Sequence, residues 1–100
     1  MTILELFAAV KDEKLPLVLI EKYRDDMVHL HTAMQIEIAD LEKKEATYFV
    51  QHSDGETSDI SIKRLWRTET DGQRLILLNR YVKAIVKEID SLKSRVYRLI

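Results

Sequence analysis

The sequence contains no cysteine, one proline, two glycines and one tryptophan. Without cysteine there are no disulfides, no thiolate zinc sites and no cysteine nucleophile, which fits a reducing, cytoplasmic setting. With so little proline and glycine there are few turn signals, so short strands joined by tight turns are excluded in favour of long uninterrupted elements. No apolar run approaches the ~18 residues of a membrane span, so no membrane partner is expected. The opening Met1-Thr2-Ile3-Leu4-Glu5 lacks the basic stretch of a signal peptide. The G-x-S-x-G elbow, the P-loop and the dinucleotide fingerprint are all missing. The expectation is a non-enzyme with no cofactor, no metal and no small-molecule substrate.

What is present is charge and aliphatic side chain: 33% of residues are charged and 46% hydrophobic, a mixture suited to amphipathic helices. One hundred residues allow one domain with a modest core. A helical chain of this size often gains stability by self-association, so a homo-oligomer is expected. The net charge of −1 conceals a division. Residues 1–62 carry 6 Lys/Arg against 13 Asp/Glu, whereas residues 63–100 carry 10 against 4. Either the halves neutralise each other, within or between chains, or the basic half faces a polyanion. Charge complementarity favours the first.

The fold class expected is all-α: a long antiparallel helical hairpin or bundle with a coiled-coil-like C-terminal helix, forming a single helical domain over 1–100. Thr2 and Glu5 form a capping box that starts a short helix over about 3–10. Pro16 suits the first turn of a long helix over about 16–51, in which Ile20, Met27, Met34, Leu41 and Tyr48 recur every seven residues. A polar loop over about 52–58 contains Asp54-Gly55. The region over about 59–99 is helical, and Thr70-Asp71-Gly72-Gln73 is ambiguous. Thr70 with Gln73 reads as another capping box and hence a break. A continuous or mildly kinked helix, with Gly72 costing about 1 kcal/mol, is slightly favoured.

The final helix is the clearest pattern. Leu75, Val82, Ile89 and Val96 occupy one heptad position, and Leu78, Ile85, Leu92 and Leu99 the other. These eight form the expected oligomer or packing seam. In isolation they favour a parallel two-stranded coil. Ile76, Leu77, Tyr81 and Val86 widen the stripe and argue for a bundle.

At ~100° per residue, Arg80, Lys83, Lys87 and Arg98 fall in one arc opposite that seam. Lys63, Arg64 and Arg67 add cations beside Trp66. Phosphate binding needs cations along a rigid line, and these residues are candidate nucleic-acid contacts. The competing reading is a solvated face or one neutralised by the acidic half. Trp66 could stack on a base, but its spacing from Ile62 suits a core position better. Glu42-x-x-Glu45 has the helical spacing used by all-helical nucleotide pyrophosphatases, but no E-x-x-D follows it. His29 and His31, two apart, point in nearly opposite directions on a helix and cannot grip one metal together.

From Leu41 onwards the chain runs through Glu42-Lys43-Lys44-Glu45, Tyr48-Phe49, the Asp54-Gly55 loop and Ile89-Asp90-Ser91-Leu92-Lys93-Ser94-Arg95. In this order the features resemble the T-even-phage recombination mediator family, small helical proteins that load a recombinase onto single-stranded DNA coated by its binding protein. The resemblance covers about half the chain. It departs from the family after Arg95, where Val96 rather than a Gly precedes the aromatic Tyr97. It implies Lys93 and Arg95 as DNA contacts, a helical oligomer and a viral accessory role. The function expected is thus a non-catalytic, oligomerising helical accessory protein that binds nucleic acid or a nucleic-acid enzyme, with a viral recombination mediator as the form the resemblance implies. The alternative is a protein-interaction adaptor or structural part with an acidic protein partner and no nucleic acid.

Overall fold

The computed structural model describes residues 1–100 and is all-α. Four helices follow in order: α1 (Ile3–Ala9), α2 (Leu17–His52), α3 (Asp59–Thr68) and α4 (Thr70–Leu99). None is long and apolar enough to cross a membrane.

Two of the four helices, α1 and α3, start at side chains that accept from their first orphan amides. The Thr2 hydroxyl accepts from the Glu5 N–H, while the Glu5 carboxylate accepts from the Thr2 N–H. These bonds to Thr2 hold the Glu5 carboxyl below its ordinary pKa. Pro16 directly precedes α2, and its carbonyl accepts from Leu19 and Ile20. Ser58 caps α3 by accepting from the Ser61 N–H. With 36 residues and no glycine or proline, α2 is roughly 54 Å long.

The reversal after α2 is built by two residues. Gly55 adopts φ +79°, a left-handed conformation that glycine reaches without a Cβ penalty. Asp54 accepts from the Thr57 and Glu56 amides and the Thr57 hydroxyl, so its carboxyl is held below its usual range, by Thr57 first.

The ambiguity at residues 70–73 resolves into a break, and its pivot is Glu69. Glu69 has extended backbone, φ −71° and ψ 151°. Its N–H donates to the Trp66 carbonyl and its own carbonyl accepts from Gln73. Thr70 is therefore the first helical residue of α4 rather than its cap. Gly72 is buried at this joint: a Cβ there would lie 1.9 Å from the Trp66 carbonyl oxygen. The mild-kink reading missed this because helix propensity sees only Gly72's own backbone.

The expected single domain divides into two compact units, each drawing on three helices. Unit 1 comprises residues 1–33 and 82–100; unit 2 comprises residues 34–81. A helix as long as α2 offers more length than one core of this size can cover, and α1 and α3 each serve one unit. In unit 1, Leu6, Val10, Ile20, Met27, Ile85 and Leu92 are buried. In unit 2, the buried side chains are Ile38, Leu41, Ile62, Trp66, Leu75 and Leu78. The long helices run antiparallel in both. In unit 1, Arg24 neighbours Lys93 and Val96, and Val28, further along α2, neighbours Val86 and Ile89. In unit 2, Glu37 pairs with Arg74, while Asp40 and Lys44, further along, neighbour Thr70 and Asp71.

The heptad seam is thus spent within the chain. Leu75, Leu78, Ile85 and Leu92 are buried, Val82, Ile89 and Val96 are half-buried, and Leu99 is 57% exposed. Leu99 falls outside the core because it is the last residue of α4. The parallel coil favoured by the heptads in isolation is superseded, since the same aliphatic side chains form this chain's own core.

Candidate functional site

In unit 2 the ten residues of α3 separate cleanly into two faces. Ile62 and Trp66, four apart, point inward, and Trp66 is only 5% exposed. Its ring lies 5.4 Å from Tyr48, tilted by 56°. Trp66 is a core residue, and its ring is not free to stack on a base. Burial, and next the Glu69 charge, push the Tyr48 hydroxyl above its ordinary pKa. Tyr48 also stacks on His52, with ring centroids 3.9 Å apart.

The outward face of α3 carries Lys63, Arg64 and Arg67, all exposed, around the exposed Ile60. Arg80, also in unit 2, is exposed on α4. A groove in this unit places Glu42 and Glu45 of α2 opposite Lys63 and Arg67, without an ion pair between them. These two glutamates belong to no convergent group of three or more metal-ligating side chains.

In unit 1, Lys83, Lys87 and Arg98 are exposed on the solvent side of α4. Lys93 is exposed on a different side, nearer Arg24. Arg95 is not free. Its Nη1 donates to the Val10 carbonyl and its Nη2 to the Asp12 carbonyl, each at 2.9 Å. The last turn of α1 has no basic residue of its own, so a cation from α4 satisfies its carbonyls and complements its dipole. Arg95, expected as a DNA contact, has its guanidinium engaged as a clamp on the α1 terminus. The proximity of α1's end to α4 is a tertiary fact that no local pattern displays. Replacing Arg95 with Leu should destabilise the protein by about 1–3 kcal/mol, because two charge-assisted bonds are lost and two carbonyls are left bare. A thermal midpoint unchanged by Arg95→Leu would show that the clamp contributes nothing.

No family model, no curated protein and no solved structure matches this chain.

The structure contains two ion pairs: Lys44–Asp40 at 3.5 Å within α2, and Arg74–Glu37 at 3.0 Å. Only the second joins the acidic half to the basic half, and it uses Arg74, a residue the sequence pattern had not singled out. None of the nine candidate cations is in an ion pair. Neutralisation of the two halves within the chain is limited to that one half-exposed contact.

Proposed function

We propose that this chain is a non-catalytic, self-associating helical accessory protein that binds nucleic acid, or an enzyme acting on nucleic acid, through the exposed basic faces of α3 and α4. A viral recombination mediator acting on single-stranded DNA in the cytoplasm is the specific form suggested by the resemblance of its motifs. One observation carries the reading. Eight of the nine candidate cations stand in solvent with no carboxylate partner, held on helices that cannot fold away from a ligand. Cations in this state release counterions from a phosphate backbone at little conformational cost.

Lys83→Gln/Lys87→Gln should weaken binding to single-stranded DNA. It should also reduce the slope of log affinity against log salt by about 1.4, as expected for two lost phosphate contacts on a single strand. The thermal midpoint should not move, because both side chains are exposed and unpaired. Filter binding across a salt series measures the first, and circular dichroism the second. If the parent protein binds no DNA at low salt, the nucleic-acid reading ends.

The second reading is a protein-interaction adaptor without nucleic acid. It is favoured by Ile60, 67% exposed among the α3 cations, and by Leu65, 47% exposed. Phosphates have no use for aliphatic side chains, whereas an acidic protein surface with an apolar centre does.

A further inference from the structure

Unit 1 is covered on one side only. α1 lies against the side of α4 that presents Arg95, whose guanidinium holds the α1 terminus. Nine residues of helix separate Val86 from Arg95, a rotation of about 900°, so the two point in opposite directions. On the Val86 side no helix of this unit covers the α2/α4 pair. Val28 and Val86 are each 45% exposed and line, with Ile89, an apolar groove of about 160 Å³. Further along, Tyr97 is 78% exposed, beside Arg24, Lys93 and Val96.

Along this side of α4 runs a strip spaced four, three and four residues apart: Val86, Asp90, Lys93 and Tyr97. That spacing keeps the four in one narrow arc, as in the seam of a coiled coil. The strip reads apolar, acid, base, apolar. Laid against itself in the antiparallel sense, with a two-fold axis passing between Ser91 and Leu92, it is self-complementary. Val86 then meets Tyr97 of the second copy, and Asp90 meets Lys93 of the second copy. Both pairings occur in the same register. A parallel alignment would instead oppose Asp90 to Asp90 and Lys93 to Lys93, which like-charge repulsion disfavours. Two-fold isologous contacts require this kind of self-complementarity.

We infer that a second copy of this chain packs antiparallel on the uncovered side of unit 1, joined along the Val86–Asp90–Lys93–Tyr97 strip of α4. This interface rests on the self-association part of the functional reading above and supplies its surface. It differs from the heptad seam, whose buried side chains are already used within the chain. It also withdraws Lys93 from the set that faces phosphate.

The test reads solution mass and a cross-link on the full chain. Light scattering or sedimentation of the parent should give twice the 11.8 kDa chain mass. Lys93→Asp places like charges across the interface and should weaken dimerisation by about tenfold or more. Asp90→Lys/Lys93→Asp reverses both charges, restores the attraction and should recover the dimer. A strip that merely supports the fold would not show this rescue. The chain has no cysteine, so Val86→Cys/Tyr97→Cys is a clean cross-linking pair. The two positions are about 16 Å apart along one helix, too far for a disulfide within a chain. Mild oxidation should therefore give a covalent dimer from the double variant and little from either single one. A monomeric parent at every concentration overturns the interface. So does a dimer whose mass ignores both charge variants and whose double cysteine variant fails to cross-link, although self-association itself would then stand. Mass and filter binding fail independently, so loss of DNA binding with an intact dimer removes only the nucleic-acid reading.

Discussion

Gly72→Ala should destabilise this protein by about 3 kcal/mol, the upper part of the range for forcing extra volume into a packed site. Helix propensity alone points the other way. Alanine is favoured over glycine by about 1 kcal/mol within a helix, so a sequence-level reading would choose this substitution as a stabilising one. The sign reverses because the added methyl would sit 1.9 Å from the Trp66 carbonyl oxygen and 2.7 Å from its carbonyl carbon. Those atoms are backbone and cannot rotate aside. The same carbonyl accepts the Glu69 N–H that closes α3, so relieving the clash means opening the joint. Denaturant unfolding measures the loss. Trp66 fluorescence should shift at the same time, because the indole lies beside the strained carbonyl. An alanine variant with a raised midpoint would contradict the close packing of α4's first turn on α3.

Ile85→Asp should leave the protein largely unfolded. Ile85 is fully buried, and unit 1 has no cation in its core to pair with a new carboxylate. An unpaired buried charge costs several kcal/mol, comparable with the ~5–15 kcal/mol that holds a domain of this size together. Ile85→Ala removes volume without adding charge and should cost about 2–5 kcal/mol. Ile89→Asp should be milder, because Ile89 is only half-buried and its carboxylate could reach water. Thermal melts by circular dichroism rank the three. If the loss at Ile85 disappeared as protein concentration rose, the seam would belong between chains rather than within one.

The helices were legible because their causes are local. The Thr2/Glu5 capping box, Pro16, the Asp54-Gly55 reversal and the Ser58 cap each satisfy backbone groups within a few residues of chain. Of the heptad residues from Leu75 to Leu99, Leu75, Leu78, Ile85 and Leu92 are buried, since a helix turns its apolar stripe inward whatever lies opposite. The same wheel placed Arg80, Lys83, Lys87 and Arg98 outside, and the structure has all four exposed.

What lay opposite each face was not legible. A heptad stripe specifies that an apolar partner exists, not whose chain supplies it, so the aliphatic seam suited a parallel coil as well as the antiparallel α2 that covers it. Arg95 and Arg98 are both arginines near the end of α4. Only the arrival of the α1 terminus makes the first a clamp and leaves the second in solvent. Gly72 is a weak point by propensity and a necessity by packing, because its neighbour across the joint is a carbonyl brought there by the extended Glu69. Local hydrogen bonding and periodicity determine where helices begin, end and turn their apolar side. The pairing of sides depends on contacts between residues far apart in the chain, and those contacts alone decided which charges are paired within the chain and which stand in solvent.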